Sequence, residues 1–214
     1  MWLDLLIPAR CAGCGARGAP CCGRCAGVWG AVSEVVRVPV AGKVRVFALA
    51  RYRGVGRRLL IAFKERGRRD LAASLGRALA EALVVLPRVS ASRVCLVPAP
   101  SRRPAARVRG GPHVERLANA AAKVLAERGF EVAVAPALEL SGRARDAVGL
   151  DRAARMANLA GRVRFREAGR PPPGMPVVLL DDVITTGATA AACVRAMAAE
   201  GIEVAAVLTL LAAG

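Results

Sequence analysis

Residues 177–189 hold the side chains whose types and spacing are best suited to chemistry. An apolar run at 177–180 predicts a buried strand of a parallel sheet, and two acids, Asp181 and Asp182, follow it directly. A turn comes next, and then an alanine-rich helix expected from about residue 188 to residue 200. The residues between the acids and this helix are small or hydroxylated: Thr185, Thr186, Gly187, Ala188 and Thr189.

This stretch predicts an anion-binding loop. The first N–H groups of a helix have no intrahelical partners and carry the positive end of its dipole, so a phosphate dianion fits there. The threonines add hydroxyl donors, and Gly187 lets the backbone approach a ligand without a Cβ in the way.

The two acids extend the expected ligand beyond a phosphate. Successive strand residues face opposite ways, so only one carboxylate is expected to meet a ligand squarely. A phosphate at one end and vicinal hydroxyls a few ångströms away would satisfy both parts of the stretch, which describes a 5-phosphorylated ribose. The competing interpretation is an α/β protein whose strand happens to end in two acids, although both acids lie where open α/β sheets bind ligands.

A second group of reactive side chains lies at residues 11–25, which contain five of the seven cysteines. Cys11, Cys14, Cys22 and Cys25 form two C-x-x-C pairs, a spacing that lets four thiolates surround one tetrahedral zinc ion and leaves Cys21 over. The alternatives are a zinc site with Cys21 in place of Cys22, a disulfide pair and an iron–sulfur cluster. Four thiolates leave zinc no open position, so the expected role is structural.

The composition narrows the class of protein. The 214 residues suffice for one ordinary domain with a small appendage, and no run approaches the roughly 20 apolar residues that span a bilayer. The apolar start at 1–7 lacks the features of a secretory signal, so we expect a cytoplasmic protein. The net charge of +17 suits a polyanion or a pyrophosphate, or reflects an arginine-rich composition spread over solvated faces.

The rest of the sequence predicts the elements that position these groups. Alternation over 32–52 indicates a β-hairpin with one buried face, and helical spacing indicates two helices on either side of an exposed basic turn at 64–69. That turn is either solvated or a hood segment that closes over a phosphorylated substrate. Further predictions are strands at 93–98, 130–134, 162–165 and 202–211, a helix from Pro112, a mobile loop at 138–150 and a short helix at 151–159.

A second loop is expected beside the first. The strand at 93–98 ends in a Pro-rich segment with Ser101 and Arg102, well placed at the carboxyl end of a parallel strand to receive pyrophosphate. The competing interpretation is a connector with solvated arginines. His113, the single histidine of the chain, is expected to make an ordinary hydrogen bond near a helix N-terminus.

Residues 177–189 closely resemble the binding signature of type I phosphoribosyltransferases, and the whole chain resembles the ComF family of competence-associated proteins. The second resemblance rests on the paired cysteines, Phe63-Lys64, Val97-Pro98-Ala99-Pro100 and the 177–189 signature. It implies a type I phosphoribosyltransferase-like parallel sheet flanked by helices, with a small N-terminal four-cysteine zinc knuckle. The implied divisions are a knuckle at 1–30, a hairpin and helical hood segment at 31–90, and an α/β domain at 91–214.

The resemblance also implies roles for individual residues. Asp181 and Asp182 would contact ribose as the catalytic acids, residues 185–189 would hold the 5-phosphate of phosphoribosyl pyrophosphate, and the loop with Ser101 and Arg102 would face pyrophosphate and Mg²⁺. The implied reaction is displacement of pyrophosphate by a nitrogen nucleophile.

Two other functions stay open. One is a non-catalytic module that binds single-stranded DNA during DNA uptake, and the other is a regulator that senses phosphoribosyl pyrophosphate without turnover. A homodimer is one assembly that the sequence leaves open.

Overall fold

A six-stranded, mostly parallel sheet forms the centre of the chain, as a computed structural model covering residues 9–89, 92–101, 111–141 and 162–214 shows. The strand order is β1-β2-β8-β7-β3-β4, in which only β1 runs antiparallel to its neighbour. A separate antiparallel pair is formed by β5 and β6. The strands are β1 (Ser33–Glu34), β2 (Val46–Arg51), β3 (Arg93–Pro98), β4 (Glu131–Val134), β5 (Leu138–Leu140), β6 (Val163–Phe165), β7 (Val177–Ile184) and β8 (Val204–Ala212).

Helices cover both faces of this sheet. The predicted helices on either side of the basic turn and the helix after Pro112 are confirmed, as is the α/β class with a mostly parallel sheet. In the described ranges the α-helices are α1 (Gly23–Ala26), α2 (Gly54–Glu65), α3 (Ala72–Val84), α4 (His113–Glu127) and α5 (Ala188–Ala198). None of the helices in these ranges is long and apolar enough to cross a membrane.

Two apolar layers lie on opposite faces of the sheet. One packs α2, α3 and α4 against the face that carries Val178 and Leu180. The other packs α5 and the β5–β6 pair against the face that carries Val177 and Leu179. Because β7 is buried on both faces, its side chains alternate between the two layers, and this alternation continues into the acids.

Three sequence predictions need correction. The strand does not end at the acids, since β7 continues to Ile184 by pairing in parallel with β8 as far as Ala212. The expected one-sided burial over 32–52 is wrong, because β2 pairs with β8 inside the sheet and buries residues of both faces. The first three residues of the expected mobile loop form β5, and residues 142–161, with the predicted short helix, lie outside the described ranges.

Candidate functional site

The candidate site lies at the carboxyl edge of the parallel sheet, where β7 gives way to α5. Strand β3 runs beside β7, and the backbone N–H of Ala99 donates to the carbonyl of Leu180 over 2.8 Å. Ser101 therefore follows β3 at the same edge as the acids, and it is half-buried. Arg102 lies outside the described residues. The structure thus brings the beginnings of both predicted loops to one edge of the sheet.

The loop between β7 and α5 has a fixed shape. Gly187 precedes α5 in the left-handed conformation, with φ of 87°, and the hydroxyl of Thr186 accepts a hydrogen bond from the N–H of Ala188 at 3.3 Å. The N–H groups of the first turn of α5 have no carbonyl partner within the helix, as at any helix start. Thr189 lies in this first turn and is half-buried.

Arg37 clamps this loop from the segment between β1 and β2. Its Nε donates to the carbonyl of Thr185 at 2.5 Å, and its Nη2 donates to the carbonyl of Ala213 at 2.6 Å. The two carbonyls follow the ends of β7 and β8, so one guanidinium ties both strand ends together. Arg37 also lies so close to Gly187 that a Cβ added there would stand 2.9 Å from the Arg37 Cβ.

Asp181 belongs to the same side of β7 as this loop. It lines a recess of about 30 Å³ together with Thr185, Thr189 and Thr209. Its Oδ1 accepts a hydrogen bond from the N–H of Asp182 at 2.8 Å. Burial, reinforced by the neighbouring Asp182 charge, raises the pKa of Asp181 above its usual range. A carboxyl that holds its proton can both donate to and accept from a ligand hydroxyl.

Asp182 points to the other side of β7 and is already engaged. Its Oδ2 lies 2.7 Å from the Nε2 of His113, the first residue of α4, and 2.7 Å from the Nζ of Lys64 in the last turn of α2. Burial alone would raise the pKa of Asp182, but the His113 hydrogen bond and the Lys64 charge outweigh it and hold that pKa well below the usual range. Asp182 is therefore an ionised, buried carboxylate with two donors.

These contacts show that the two acids face opposite sides of β7. Of the two acids only Asp181 lines the recess at the loop, and the prediction that only one carboxylate meets a ligand squarely stays a prediction. The prediction that Lys64 belongs to an exposed turn is wrong, because its side chain is only 32 % exposed and pairs with Asp182. The predicted hydrogen bond of His113 is present, although its partner could not be identified from the sequence.

The four predicted cysteine ligands come together in space. All four Sγ atoms of Cys11, Cys14, Cys22 and Cys25 lie within 4.8 Å of one another, and the Cys14 and Cys22 sulfurs are 3.6 Å apart. Four thiolates around a zinc ion at about 2.3 Å would be about 3.8 Å apart, so the cluster is compatible with structural zinc. None of the cysteines in the described ranges forms a disulfide.

Backbone hydrogen bonds support the thiolate form of Cys11. The N–H of Cys22 donates to the sulfur of Cys11 at 3.4 Å. Burial opposes the ionisation of Cys11, but this and other backbone hydrogen bonds lower its pKa to about 6. Cys21 instead packs against the apolar layer of α2, α3 and α4 and stays outside the cluster.

The cysteine module is attached to the rest of the chain through α2 and the turn that follows it. The Nε of Arg58 donates to the carbonyl of Gly13 at 2.7 Å, and the Nη2 of Arg68 donates to the carbonyl of Arg10 at 2.9 Å. Helix α2 also carries Lys64, so one helix contacts both the cysteine module and the buried acid.

No protein-family model matches the chain, and no curated protein matches its sequence significantly. Fold and site together define a class: an α/β protein with a mostly parallel sheet, four clustered N-terminal cysteines, and an acid and a threonine-rich loop at the carboxyl edge of the sheet.

Proposed function

We propose that this protein binds phosphoribosyl pyrophosphate with Mg²⁺ and transfers the phosphoribosyl group to a nitrogen acceptor, as a type I phosphoribosyltransferase-like member of the ComF family. The observation that supports this most directly is the recess shared by Asp181 and the loop at 185–189. A phosphate takes the loop and the first turn of α5, and the ribose hydroxyls take the Asp181 carboxyl.

In this proposal most of the ligand lies outside the recess, because the recess is small. A volume of about 30 Å³ holds one or two waters, so it accepts a polar group rather than a whole sugar phosphate. The ribose and the pyrophosphate then lie along the carboxyl edge, toward Ser101. Pyrophosphate brings Mg²⁺ with it, since Mg²⁺ binds substrate phosphates together with only one or two protein groups.

Asp182 has a different role from Asp181 in this proposal. Its carboxylate oxygen already accepts from Lys64 and His113, so it holds α2 and α4 against the end of β7. Asp181 is the acid that contacts ribose. We also infer that Cys11, Cys14, Cys22 and Cys25 hold one zinc ion, whose chemistry is to fix the fold of the N-terminal module.

Calorimetric titration of the zinc-loaded protein with phosphoribosyl pyrophosphate and Mg²⁺ tests the proposal. We expect saturable binding that weakens about 10- to 100-fold in Asp181→Asn, the usual effect of losing a hydrogen bond to a carboxyl in a site. Glu203→Gln is the matched control, because it also replaces a carboxylate by an amide but lies just before β8, at the opposite edge of the sheet. Its affinity should equal that of the wild type.

The same material distinguishes the nucleic-acid alternative. If the wild type binds no phosphoribosyl pyrophosphate but binds single-stranded DNA with an affinity that falls steeply with salt, the transferase proposal fails and the net charge of +17 accounts for the function. Equal weakening by Asp181→Asn and Glu203→Gln would place the ligand elsewhere on the protein.

A further inference from the structure

We propose that His113 is a catalytic base, which accepts the proton of the incoming nucleophile on its Nδ1 atom. This rests on the transfer reaction proposed above and adds the residue that serves the acceptor side of it. The cluster that carries the inference is Lys64, Asp182 and His113, contributed by α2, β7 and α4.

The contact with Asp182 fixes which nitrogen of His113 bears the proton. The Nε2 of His113 lies 2.7 Å from the Oδ2 of Asp182. An ionised carboxylate only accepts hydrogen bonds, so Nε2 must be the N–H donor. In the neutral imidazole the lone pair is then on Nδ1. Carboxylate-oriented histidines of this kind act as bases in unrelated enzymes.

The charge of Asp182 does not depend on His113 for its balance. Lys64 contacts the same oxygen of Asp182 at 2.7 Å, so this buried carboxylate has a cationic partner besides its hydrogen bond to the imidazole.

The Nδ1 atom of His113 is a feature without a structural explanation. It is buried, and within the described ranges it has no hydrogen-bond partner. Buried polar atoms in folded proteins are almost always paired, because an unpaired one loses its hydration without compensation. A histidine present only to support Asp182 would need no such acceptor. A donor N–H or O–H from a bound nucleophile would satisfy it.

The proposed reaction requires the substrate to lie across the end of β7. Asp181 and Asp182 are adjacent in this strand and face opposite sides, so the ribose would have Asp181 on one side and the His113 cluster on the other. The nucleophile forms a bond to the anomeric carbon, and the bond from that carbon to pyrophosphate breaks with its electron pair. The nucleophile's proton passes to Nδ1, and Asp182 stabilises the resulting imidazolium.

Nitrogen NMR of the zinc-loaded protein tests the protonation state directly, because His113 is the only histidine in the chain. At neutral pH we expect a pyrrole-type signal for Nε2 and a pyridine-type signal for Nδ1. A proton on Nδ1 in the free protein, with or without one on Nε2, overturns the proposal before any activity is measured.

Release of pyrophosphate from phosphoribosyl pyrophosphate and Mg²⁺ tests the catalytic role. Water and a panel of free nucleobases serve as nucleophiles. His113→Gln is the sharpest variant, because its amide N–H can still donate to Asp182 while the basic Nδ1 is lost. We expect release to fall about 100-fold or more, within the usual range for a general base, with unchanged affinity for phosphoribosyl pyrophosphate.

Two further measurements keep the outcomes separate. Lys123→Gln, an exposed change on the same helix, should leave both rate and affinity unchanged, and His113→Asn repeats the test if the glutamine variant is unstable. Wild-type rates in His113→Gln, or a wild type that binds phosphoribosyl pyrophosphate without releasing pyrophosphate in any mixture, overturn the base while leaving binding intact. Failure of the wild type to bind overturns the proposed function itself.

Discussion

Replacing Gly187 by alanine tests whether the loop at the end of β7 depends on its contact with Arg37. The change has two unfavourable components. At φ of 87° an L-residue is strained, by about 1–2 kcal/mol. The new Cβ would also stand 2.9 Å from the Arg37 Cβ, which cannot rotate away like the end of a flexible side chain. Overpacking of this kind adds about 1–3 kcal/mol.

Gly201 supplies a matched control beyond the other end of the same helix. Its φ is 71°, but a Cβ built there meets no atom within 4 Å. Gly201→Ala therefore carries the strain without the collision, and both substitutions restrict the unfolded chain equally. The expected difference in the free energy of unfolding between the two variants is about 1–3 kcal/mol, with Gly187→Ala the less stable.

Urea unfolding of the zinc-loaded proteins, followed by circular dichroism, measures this difference. For a denaturant dependence of about 2–3 kcal/mol per M, the midpoints should differ by roughly 0.3–1.5 M. Gly187→Ala should also bind phosphoribosyl pyrophosphate more weakly, because moving Arg37 disturbs its bonds to Thr185 and Ala213. Equal midpoints for the two variants would refute the reasoning, since strain alone would then account for both.

Three further predictions concern stability and metal content. Because the pKa of Asp181 is raised in the folded protein, Asp181 destabilises the fold increasingly as the pH rises above about 4. Because the pKa of Asp182 is lowered, Asp182 stabilises the fold above that pH, and this stabilisation is lost on acidification. At pH 7.5 Asp181→Asn should thus raise the urea midpoint of unfolding and Asp182→Asn should lower it. Shifts of the same sign would contradict the different environments of the two acids. Elemental analysis should find one zinc per chain in the wild type and Cys21→Ser but none in Cys22→Ser, and the reverse result would exchange the two cysteines. Gly76→Ala should destabilise the protein by about 1–3 kcal/mol in urea, because the added Cβ meets backbone of α4 at 2.7 Å, and an unchanged midpoint would show that α3 and α4 separate easily.

Local patterns predicted much of the fold because the forces behind them are local. Leucines four residues apart, at 71, 75, 79 and 83, form one buried stripe of α3 and the turn before it, as their spacing indicates. The cysteine pairs carry their own knuckle geometry within fifteen residues, so the cluster could be predicted without knowledge of the rest of the chain.

The parts that sequence reasoning missed depend on contacts between distant segments. His113 and Asp182 are 69 residues apart, and Arg37 and Thr185 are 148 residues apart. Neither pair leaves a periodic signal. A single buried histidine and the last lysine of an amphipathic helix have the same appearance in sequence whether or not they meet an acid. The only indication in the sequence was that the two acids are consecutive residues at a strand end, whose side chains were expected to face opposite ways.

The position of β8 has a consequence for how the chain folds during synthesis. This strand lies between β2 and β7 in the sheet, yet about 150 residues separate the end of β2 from its start. At a translation rate of about 5–20 residues per second, the apolar residues of β2 remain without their parallel partner for roughly 8–30 s. Until β8 is made, β2 and β7 each have an unpaired edge. We therefore expect nascent chains to require chaperone protection and the sheet to close late, as a single cooperative step.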